Sequence, residues 1–265
     1  MISLPDLQVL EITGADALSF AQAQFSSDVR GLANGAWQWS TWLSPQGRVR
    51  AFFQLLRDHD QHLRLLLRGG DAEMLRVALA PYVLRAKVAL RVSAARVRGS
   101  NKPAASVLEL PGSPPRWLII EDTASDGEES PGARECWRLA DIRAGLPVLA
   151  ENLHEQLLPQ WLGLDRLGAI SVSKGCYPGQ EVMSRLHFKG GNKRSLYRLE
   201  LTGALAAGTA LGTPGDAASG LIVMSARRED DRAEALACLA DTAADVPLRA
   251  AVPGMGEIAV LERFT

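Results

Sequence analysis

The sequence predicts an α+β fold, in which a small β-rich segment follows a larger part that mixes strands and helices. Strand-like and helix-like stretches alternate along the first 120 residues. From about residue 197, short strand-like stretches are separated by Gly and Pro turns. A hydrophobic fraction of 47% over 265 residues is typical of a chain that buries a substantial core in one to three compact units.

The first half of the chain predicts two helices among β-strands. One helix begins at Asp16 and ends near residue 25, and the other begins at Asp71 and ends near residue 84. Residues 44–47 carry Pro second and Gly fourth, which predicts a type I turn between two strands. Strands are expected at residues 7–12, 36–43, 48–57, 62–68, 85–92, 106–110 and 116–120. Strands that alternate with single helices favour a ferredoxin-like α+β unit.

Residues 121–135 form the clearest predicted loop, because six acidic residues stand there among Gly, Ser and Pro. A solvated surface loop is the expectation. Residues 169–173 predict a further strand. The last strands are expected at residues 197–201, 220–224, 235–239 and 257–261, a pattern typical of a small β-barrel or sandwich.

Composition excludes several classes of protein. A net charge of -1 does not indicate a generic polyanion binder. The first residues show no secretory signal, and the apolar runs are too short to span a bilayer, so a soluble cytoplasmic protein without membrane contact is expected. The three cysteines form no Cys-x-x-Cys pair, and the four histidines lack zinc-type spacing. No metal site, disulfide framework or iron-sulfur cluster held by this chain alone is therefore expected.

Positive charge is concentrated between residues 166 and 198. Seven Lys and Arg residues and one acid, Glu181, leave a local charge of +6 (7 − 1). The cations are Arg166, Lys174, Arg185, Lys189, Lys193, Arg194 and Arg198. This concentration indicates either an anionic partner, such as a carboxylate or phosphate ligand or an RNA backbone, or a solvated basic face.

Residues 174–181, with the sequence Lys-Gly-Cys-Tyr-Pro-Gly-Gln-Glu, have the composition of a rigid site loop. Glycine allows tight backbone geometry and the close approach of a ligand, and proline stiffens the bend. The last two residues are suited to begin a helix. The cations Lys174 and Arg185 favour a reactive thiolate at Cys176.

Plainer interpretations of the same residues stay open at this point. A lone cysteine such as Cys176 is often a small buried apolar residue. Tyr177 can simply pack against the core, and Glu181 can pair with Arg185 on the surface.

Residues 168–181 and Arg185 closely resemble the signature of the YgfZ family, which is related to the glycine-cleavage T-protein, an aminomethyltransferase. The similarity continues through residues 188–194 and includes residues 142–147 upstream. Near the N-terminus, positions shared with the T-protein are residues 12–17, Phe20, Gln22, Gln24 and residues 28–29. The resemblance covers most of the first 200 residues, and the C-terminal part is similar only in its general pattern.

This resemblance implies a ring of ferredoxin-like α+β domains around a central folate channel, with a small C-terminal β-barrel. The implied division is a discontinuous first domain of residues 1–35 and 136–195, a second of residues 36–135, and a barrel of residues 196–265. The implied ligand is tetrahydrofolate or its polyglutamylated form. The site residues that the resemblance implies are Lys174, Gly175, Cys176, Tyr177, Gly179, Gln180, Glu181 and Arg185, with Cys176 as the reactive group.

The implied function is to support the assembly or repair of iron-sulfur clusters in client enzymes, including tRNA-modifying ones. The partners would be a reduced folate and iron-sulfur client or assembly proteins. DNA is not among them, and direct RNA binding is not expected, because few aromatic residues accompany the basic segment.

The alternative is a folate-dependent aminomethyl transferase, and whether the chain is an enzyme stays open. Met74 falls near the catalytic aspartate of T-proteins, and Gly163 stands where relatives commonly have asparagine. The first difference disfavours aminomethyl transfer, and the second indicates that some folate contacts differ.

Overall fold

The computed structural model describes residues 1–103, 107–122, 131–214, 216–252, 256 and 258–264. Within these residues the helices are α1 (Ala17–Gln24), α2 (Ala72–Leu79), α3 (Pro131–Arg143) and α4 (Gln180–Lys189). The strands are β1 (Ile2–Ser3), β2 (Val9–Thr13), β3 (Ala36–Leu43), β4 (Val49–His59), β5 (His62–Leu67), β6 (Ala89–Val92), β7 (Arg96–Ser100), β8 (Val107–Leu110), β9 (Arg116–Glu121), β10 (Arg194–Leu201), β11 (Ala210–Thr213), β12 (Asp216–Arg227), β13 (Ala233–Ala240), β14 (Arg249–Ala250) and β15 (Ala259–Phe264). Short 3-10 turns lie at Ala80–Tyr82, Glu151–Leu153, Pro159–Leu162 and Asp241–Ala243.

An antiparallel sheet with the strand order β3-β4-β5-β2-β6 organises the first half of the chain. Strand β4, between β3 and β5, is buried on both faces, and its successive side chains point to opposite sides into two cores. Phe53 and Leu55 pack in a core with α1 and α2, whereas Phe52 and Leu56 belong to a second core. Full burial of each such side chain contributes about 1.5–3 kcal/mol.

The second core connects this sheet to the rest of the molecule. It includes residues of the four-stranded sheet β1-β7-β9-β8, of α3 and of β12 and β13. Trp137 and Ile142 are the buried anchors of α3. Gly99 on β7 makes room for this helix, since a Cβ at Gly99 would lie 2.6 Å from the Trp137 ring.

The C-terminal part is a six-stranded antiparallel sheet with the order β14-β11-β12-β13-β10-β15. It has its own apolar core, which includes Tyr197, Leu211 and Ile222. The two edges approach each other at one antiparallel bridge between Leu248 and Ile258.

Most predicted elements are confirmed within a few residues. The predicted turn at residues 44–47 is present, with the Gly47 amide donating to the Ser44 carbonyl at 2.8 Å. The second helix begins at its predicted cap, because the Asp71 carboxylate accepts from the Met74 amide at 2.8 Å. That helix ends at Leu79 rather than near residue 84, and a 3-10 turn containing Pro81 follows, since proline disfavours α-helix at the preceding residue.

One prediction of secondary structure is wrong, and two others have different boundaries. Residues 169–173 form no strand, because the Ser26 hydroxyl donates to the Ala169 carbonyl and the Ser171 amide donates to the Ser26 carbonyl, in place of a strand ladder. The predicted loop of residues 121–135 begins with the last residue of β9 and ends in the first turns of α3. Residues 123–130 of that loop lie outside the described part of the chain. Strand 85–92 begins only at Ala89.

In the part of the chain that the structure describes, no helix has the length and apolar character needed to cross a membrane. The same residues contain no cluster of three or more His, Cys, Asp or Glu side chains suited to a metal ion. All three cysteines have free thiols.

Candidate functional site

Residues 174–181, which we call the signature loop, are anchored by the buried side chain of Lys174. Its ammonium donates to the carbonyls of Gln22 at 2.6 Å, Ser27 at 2.9 Å and Phe25. An ammonium has three protons, so these three carbonyls use all of them. The side chain of Lys174 therefore faces the protein backbone and ties the signature loop to the segment after α1.

The burial of Lys174 changes its acidity. Burial lowers the pKa of the ammonium from 10.5 to about 8, while Asp28 opposes and Arg30 reinforces this shift. Burial disfavours the charged form of an amine, because water no longer solvates it. The three carbonyl acceptors work in the other direction and hold the proton in place.

Tyr177 and Gln180 stiffen the signature loop from within. The Tyr177 hydroxyl donates to the Ser171 carbonyl at 2.8 Å, and Lys174 Nζ lies 5.1 Å from the centre of its ring. Burial raises the pKa of Tyr177 to about 12. The side-chain amide of Gln180 donates from Nε2 to the Lys174 carbonyl at 3.0 Å, which closes the loop on itself.

Two glycines set the signature loop against the turn of residues 44–47. Gly179 has a φ of 80°, and a Cβ there would lie 2.7 Å from the Ser44 carbonyl oxygen. Gly47 has a φ of 73° and faces Met183 and Val182 of α4 in the same close manner. Gly175, in contrast, has open space where a side chain would be. Packing therefore requires Gly179 but does not require Gly175.

Three other members of the predicted site face solvent. Cys176 is exposed at the tip of the signature loop, and Glu181 and Arg185 are exposed on α4. Of the remaining cysteines, Cys136 is also exposed, whereas burial raises the pKa of Cys238 to about 12. Cys176 and Cys136 are thus the two accessible thiols.

The +6 charge between residues 166 and 198 does not form one surface. Lys174 is buried, Arg166 and Arg194 donate to backbone carbonyls, and Arg198 lies 3.4 Å from the Glu262 carboxylate. Four of the seven cations are therefore engaged by the protein itself. Exposed cations without an ion pair in the described residues remain at Arg185, Lys189 and Lys193.

A cavity of about 360 Å³ lies beside Gly69 and Gly70, at the C-terminal end of β5. Apolar side chains and a few polar groups line it, among them Trp42, Leu67, Leu75, Met74, Arg50, Asp71, His154 and Glu155. A second cavity of about 450 Å³ shares Gly69 and Gly70 and is lined also by Gln8, Arg138 and Glu151. We call this pair the glycine cavity. The volume of each of the two cavities is within the range of about 300–1,000 Å³ typical of ligand pockets.

The two glycines are needed where they stand. Gly69 has a φ of 91°, and a Cβ there would lie 2.3 Å from the Leu149 carbonyl oxygen. Gly70 has a φ of 78°, and its Cβ would lie 3.0 Å from the imidazole of His154. Their lack of side chains lets the chain turn from β5 into α2 between the two cavities.

The charged groups that line the glycine cavity interact with one another and with its aromatic side chains. Arg50 Nε lies 2.6 Å from Glu155 Oε1, and the guanidinium lies 4.9 Å from the centre of the Trp42 ring. Burial lowers the pKa of His154, although Glu151 and Glu155 raise it, so the imidazole is neutral at pH 7. The cavity thus offers an apolar floor, one ion pair and a neutral imidazole.

The signature loop and the glycine cavity both lie near the end of β3. Phe25 pairs with Trp42 in an isolated bridge, and the hydroxyls of Ser26 and Thr41 are 2.7 Å apart. The indole of Trp42 lines the cavity, while Lys174 holds the backbone near Phe25. Among the described residues that line the cavity, none belongs to the signature loop.

Sequence reasoning missed most of this cavity. Arg50 and Glu155 are separated by 105 residues, and nothing in either neighbourhood indicates their contact. No motif in the sequence marks His154 or Glu155 as cavity residues, because the histidines lack zinc-type spacing. One feature of the sequence could have indicated the cavity. The pair Gly69-Gly70 stands directly before the helix cap Asp71, close to Met74.

Comparison with a solved structure identifies the class of fold. The structure is similar to the glycine cleavage system aminomethyltransferase T from Bartonella henselae, with a TM-score of 0.67, 12% sequence identity, and coverage of 98% of this chain and 84% of that one. The mixed α/β architecture with several sheets is therefore that of the T-protein.

Sequence comparison assigns the family within this class. The tRNA-modifying protein YgfZ of Vibrio vulnificus strain CMCP6 is 31% identical over 228 residues, with coverage of 75% of this chain and 69% of that protein. The YgfZ of Edwardsiella ictaluri is 29% identical, with coverage of 75% and 70%. An uncharacterized protein of Haemophilus influenzae is 31% identical over 201 residues. No family model matches the chain. The chain belongs to the YgfZ family.

Proposed function

We propose that this protein binds a reduced folate and supports the assembly or repair of iron-sulfur clusters in client enzymes, including enzymes that modify tRNA. Membership of the YgfZ family supports the proposal, because curated relatives carry the name tRNA-modifying protein. The observation that supports folate binding is the glycine cavity, which has the size of a ligand pocket and lies in a T-protein fold.

The chemistry of the glycine cavity suits the parts of a folate. Trp42, Leu67 and Met74 offer apolar surface to a fused heteroaromatic ring. The carboxylate of Glu155 can accept hydrogen bonds from ring N–H groups, and its contact with Arg50 orients that carboxylate. Arg138 lies in the adjoining cavity, where it can meet a carboxylate of the glutamate tail.

In this proposal the signature loop has a different task. Lys174, Tyr177, Gly179 and Gln180 form its frame, and Cys176 is presented to solvent. A rigid loop that displays one accessible thiol fits a reactive or redox-sensitive group that meets a client protein. Glu181 and Arg185, on the adjacent exposed face of α4, would contact the same partner.

Aminomethyl transfer, the alternative function, gains no support from the cavity. Met74, which falls near the catalytic aspartate of T-proteins, has no group that accepts a proton. The nearby Asp71 carboxylate already accepts from the Met74 amide as the cap of α2. The closure of the C-terminal sheet into a barrel, the ring with a central channel and the division into three domains stay predictions.

Calorimetric titration with tetrahydrofolate tests the proposed ligand, followed by assay of any bound one-carbon group. We expect saturable one-to-one binding, and no binding of any reduced folate would contradict it. For the cellular role, Cys176→Ala should abolish support of iron-sulfur enzymes while leaving the melting temperature unchanged. Cys136→Ala is the matched control, since Cys136 is the other exposed thiol. Full cellular support by Cys176→Ala would contradict the task assigned to the signature loop.

A further inference from the structure

Two arginines and one aspartate are buried together under α3. The Arg68 guanidinium lies 2.7 Å from one oxygen of the Asp141 carboxylate, and that of Arg116 lies 2.9 Å from the other. Their side chains are 0%, 2% and 4% exposed for Arg68, Asp141 and Arg116. Among these three buried side chains, two guanidiniums and one carboxylate leave one positive charge in excess.

The donors of this cluster are incompletely used. Arg68 has two nitrogens, Nε and Nη1, without a hydrogen-bond partner in the described residues. The indole Nε1 of Trp137, whose ring lies 4.7 Å below the Arg116 guanidinium, is also buried and unpartnered there. Burial lowers the pKa of Arg116, Asp141 raises it, and Arg68 lowers it further. Arg116 Nη2 and Asp141 Oδ1, which lie 2.9 Å apart, also make no hydrogen bond in the described residues. Unpaired buried donors beside a net positive charge suit either a bound water molecule or an anion.

A small cavity lies at this cluster. It holds about 40 Å³, and Arg68, Trp137 and Asp141 line it together with Leu4, Leu7 and Val148. Asp6, Arg134 and Arg138 also line it, and Asp6 pairs with Arg138 at 2.7 Å. The volume is close to the share of one water molecule in liquid, about 30 Å³. The volume therefore suits a single small ligand, such as one water molecule or one monatomic ion.

We propose that this cavity is a binding site for a monatomic anion, chloride under physiological conditions. The anion would accept from the free N–H groups of Arg68 and Trp137 and neutralise the excess charge. It would thereby stabilise the contact between α3 and Arg68, the residue directly before Gly69 and Gly70. The proposal does not depend on folate binding, since it rests only on the cluster and its cavity.

Thermal unfolding of the full chain tests the site, with sodium chloride replaced stepwise by sodium gluconate at constant ionic strength. Each tenfold rise in chloride above its Kd should raise the melting temperature by about 3–5 °C. Bromide should substitute for chloride and give an anomalous diffraction peak at hydrogen-bond distance from Arg68. Equal melting temperatures in chloride and gluconate, or a bridging water without a bromide peak, would overturn the proposal.

A pair of variants separates this site from general salt effects. Trp137→Phe removes one donor and keeps an aromatic ring under Arg116. The chloride concentration needed to raise the melting temperature should therefore increase about tenfold. Trp161→Phe is the matched control, because Trp161 also carries a guanidinium over its ring, that of Arg48 at 4.9 Å, but lies outside the cavity. Identical chloride dependence in both variants would contradict the assigned role of Trp137.

Discussion

Replacement of Lys174 by methionine tests whether this residue is an anchor of the fold or a ligand of the site. The ammonium donates to three backbone carbonyls, and Lys174→Met leaves those carbonyls without a donor in a buried place. Hydrogen bonds to a charged group contribute about 1.5–3 kcal/mol each. Burial of the charge offsets at most about 3 kcal/mol, as judged from the fall of the pKa from 10.5 to about 8.

The variant should therefore lose about 2–5 kcal/mol of unfolding free energy, which corresponds to about 5–15 °C in melting temperature for a chain of this size. Urea unfolding at pH 7 measures the loss. Lys189→Met is the matched control, because Lys189 is exposed on α4, and its effect should stay within about 0.5 kcal/mol. If Lys174→Met melts like wild type but no longer binds folate, Lys174 is a ligand residue and the anchoring role is refuted.

Three further predictions follow from the acidity and exposure of the same groups. Cys176 and Cys136 should react with a thiol reagent at pH 7 within minutes, whereas the buried Cys238, with its pKa raised to about 12, should react only in denaturant; rapid labelling of Cys238 would contradict its burial. Because the folded pKa of Lys174 lies below its unfolded value, the unfolded state binds more protons between pH 8 and 10.5, and stability due to this group rises with pH there. The gap between wild type and Lys174→Met should thus widen by at most about 3 kcal/mol from pH 7.5 to 10, and a gap that narrows would show the opposite sign. Purified protein should carry no stoichiometric iron, because three cysteines are fewer than a four-thiolate cluster needs, and an iron-loaded monomer would contradict this.

The sequence predicts correctly those elements whose position depends on residues close by in the chain. The Pro and Gly of residues 44–47 specify a turn by their own backbone preferences, and Asp71 specifies the start of a helix with its own carboxylate. The start of α4 at Gln180 follows from the turn at Gly179, which has a φ of 80°. In each case the cause lies within about four residues of the effect.

The parts that could not be predicted depend on contacts between distant residues. Residues 169–173 have strand-like composition, yet the hydroxyl of Ser26, 143 residues before Ala169, takes over their hydrogen bonding. The direction of Lys174 is decided by carbonyls about 150 residues away. The acidic residues before α3 favour a loop, so the sequence does not indicate where this helix begins. The packing of Trp137 against Gly99 stabilises the helix and overrides the local composition.

The central claim is that the glycine cavity holds a reduced folate, and a pair of tryptophan variants on α2 tests it most directly. Met74 lines the cavity and is 57% exposed, so Met74→Trp fills it from a position that tolerates a larger side chain. Val77, 56% exposed on the same helix, does not line the cavity and gives the control Val77→Trp. In calorimetric titration with tetrahydrofolate, Met74→Trp should bind at least about tenfold more weakly than wild type, a loss of about 1.4 kcal/mol, and Val77→Trp should bind equally well. Wild-type affinity in Met74→Trp, with both variants folded, would place the ligand elsewhere and contradict the account.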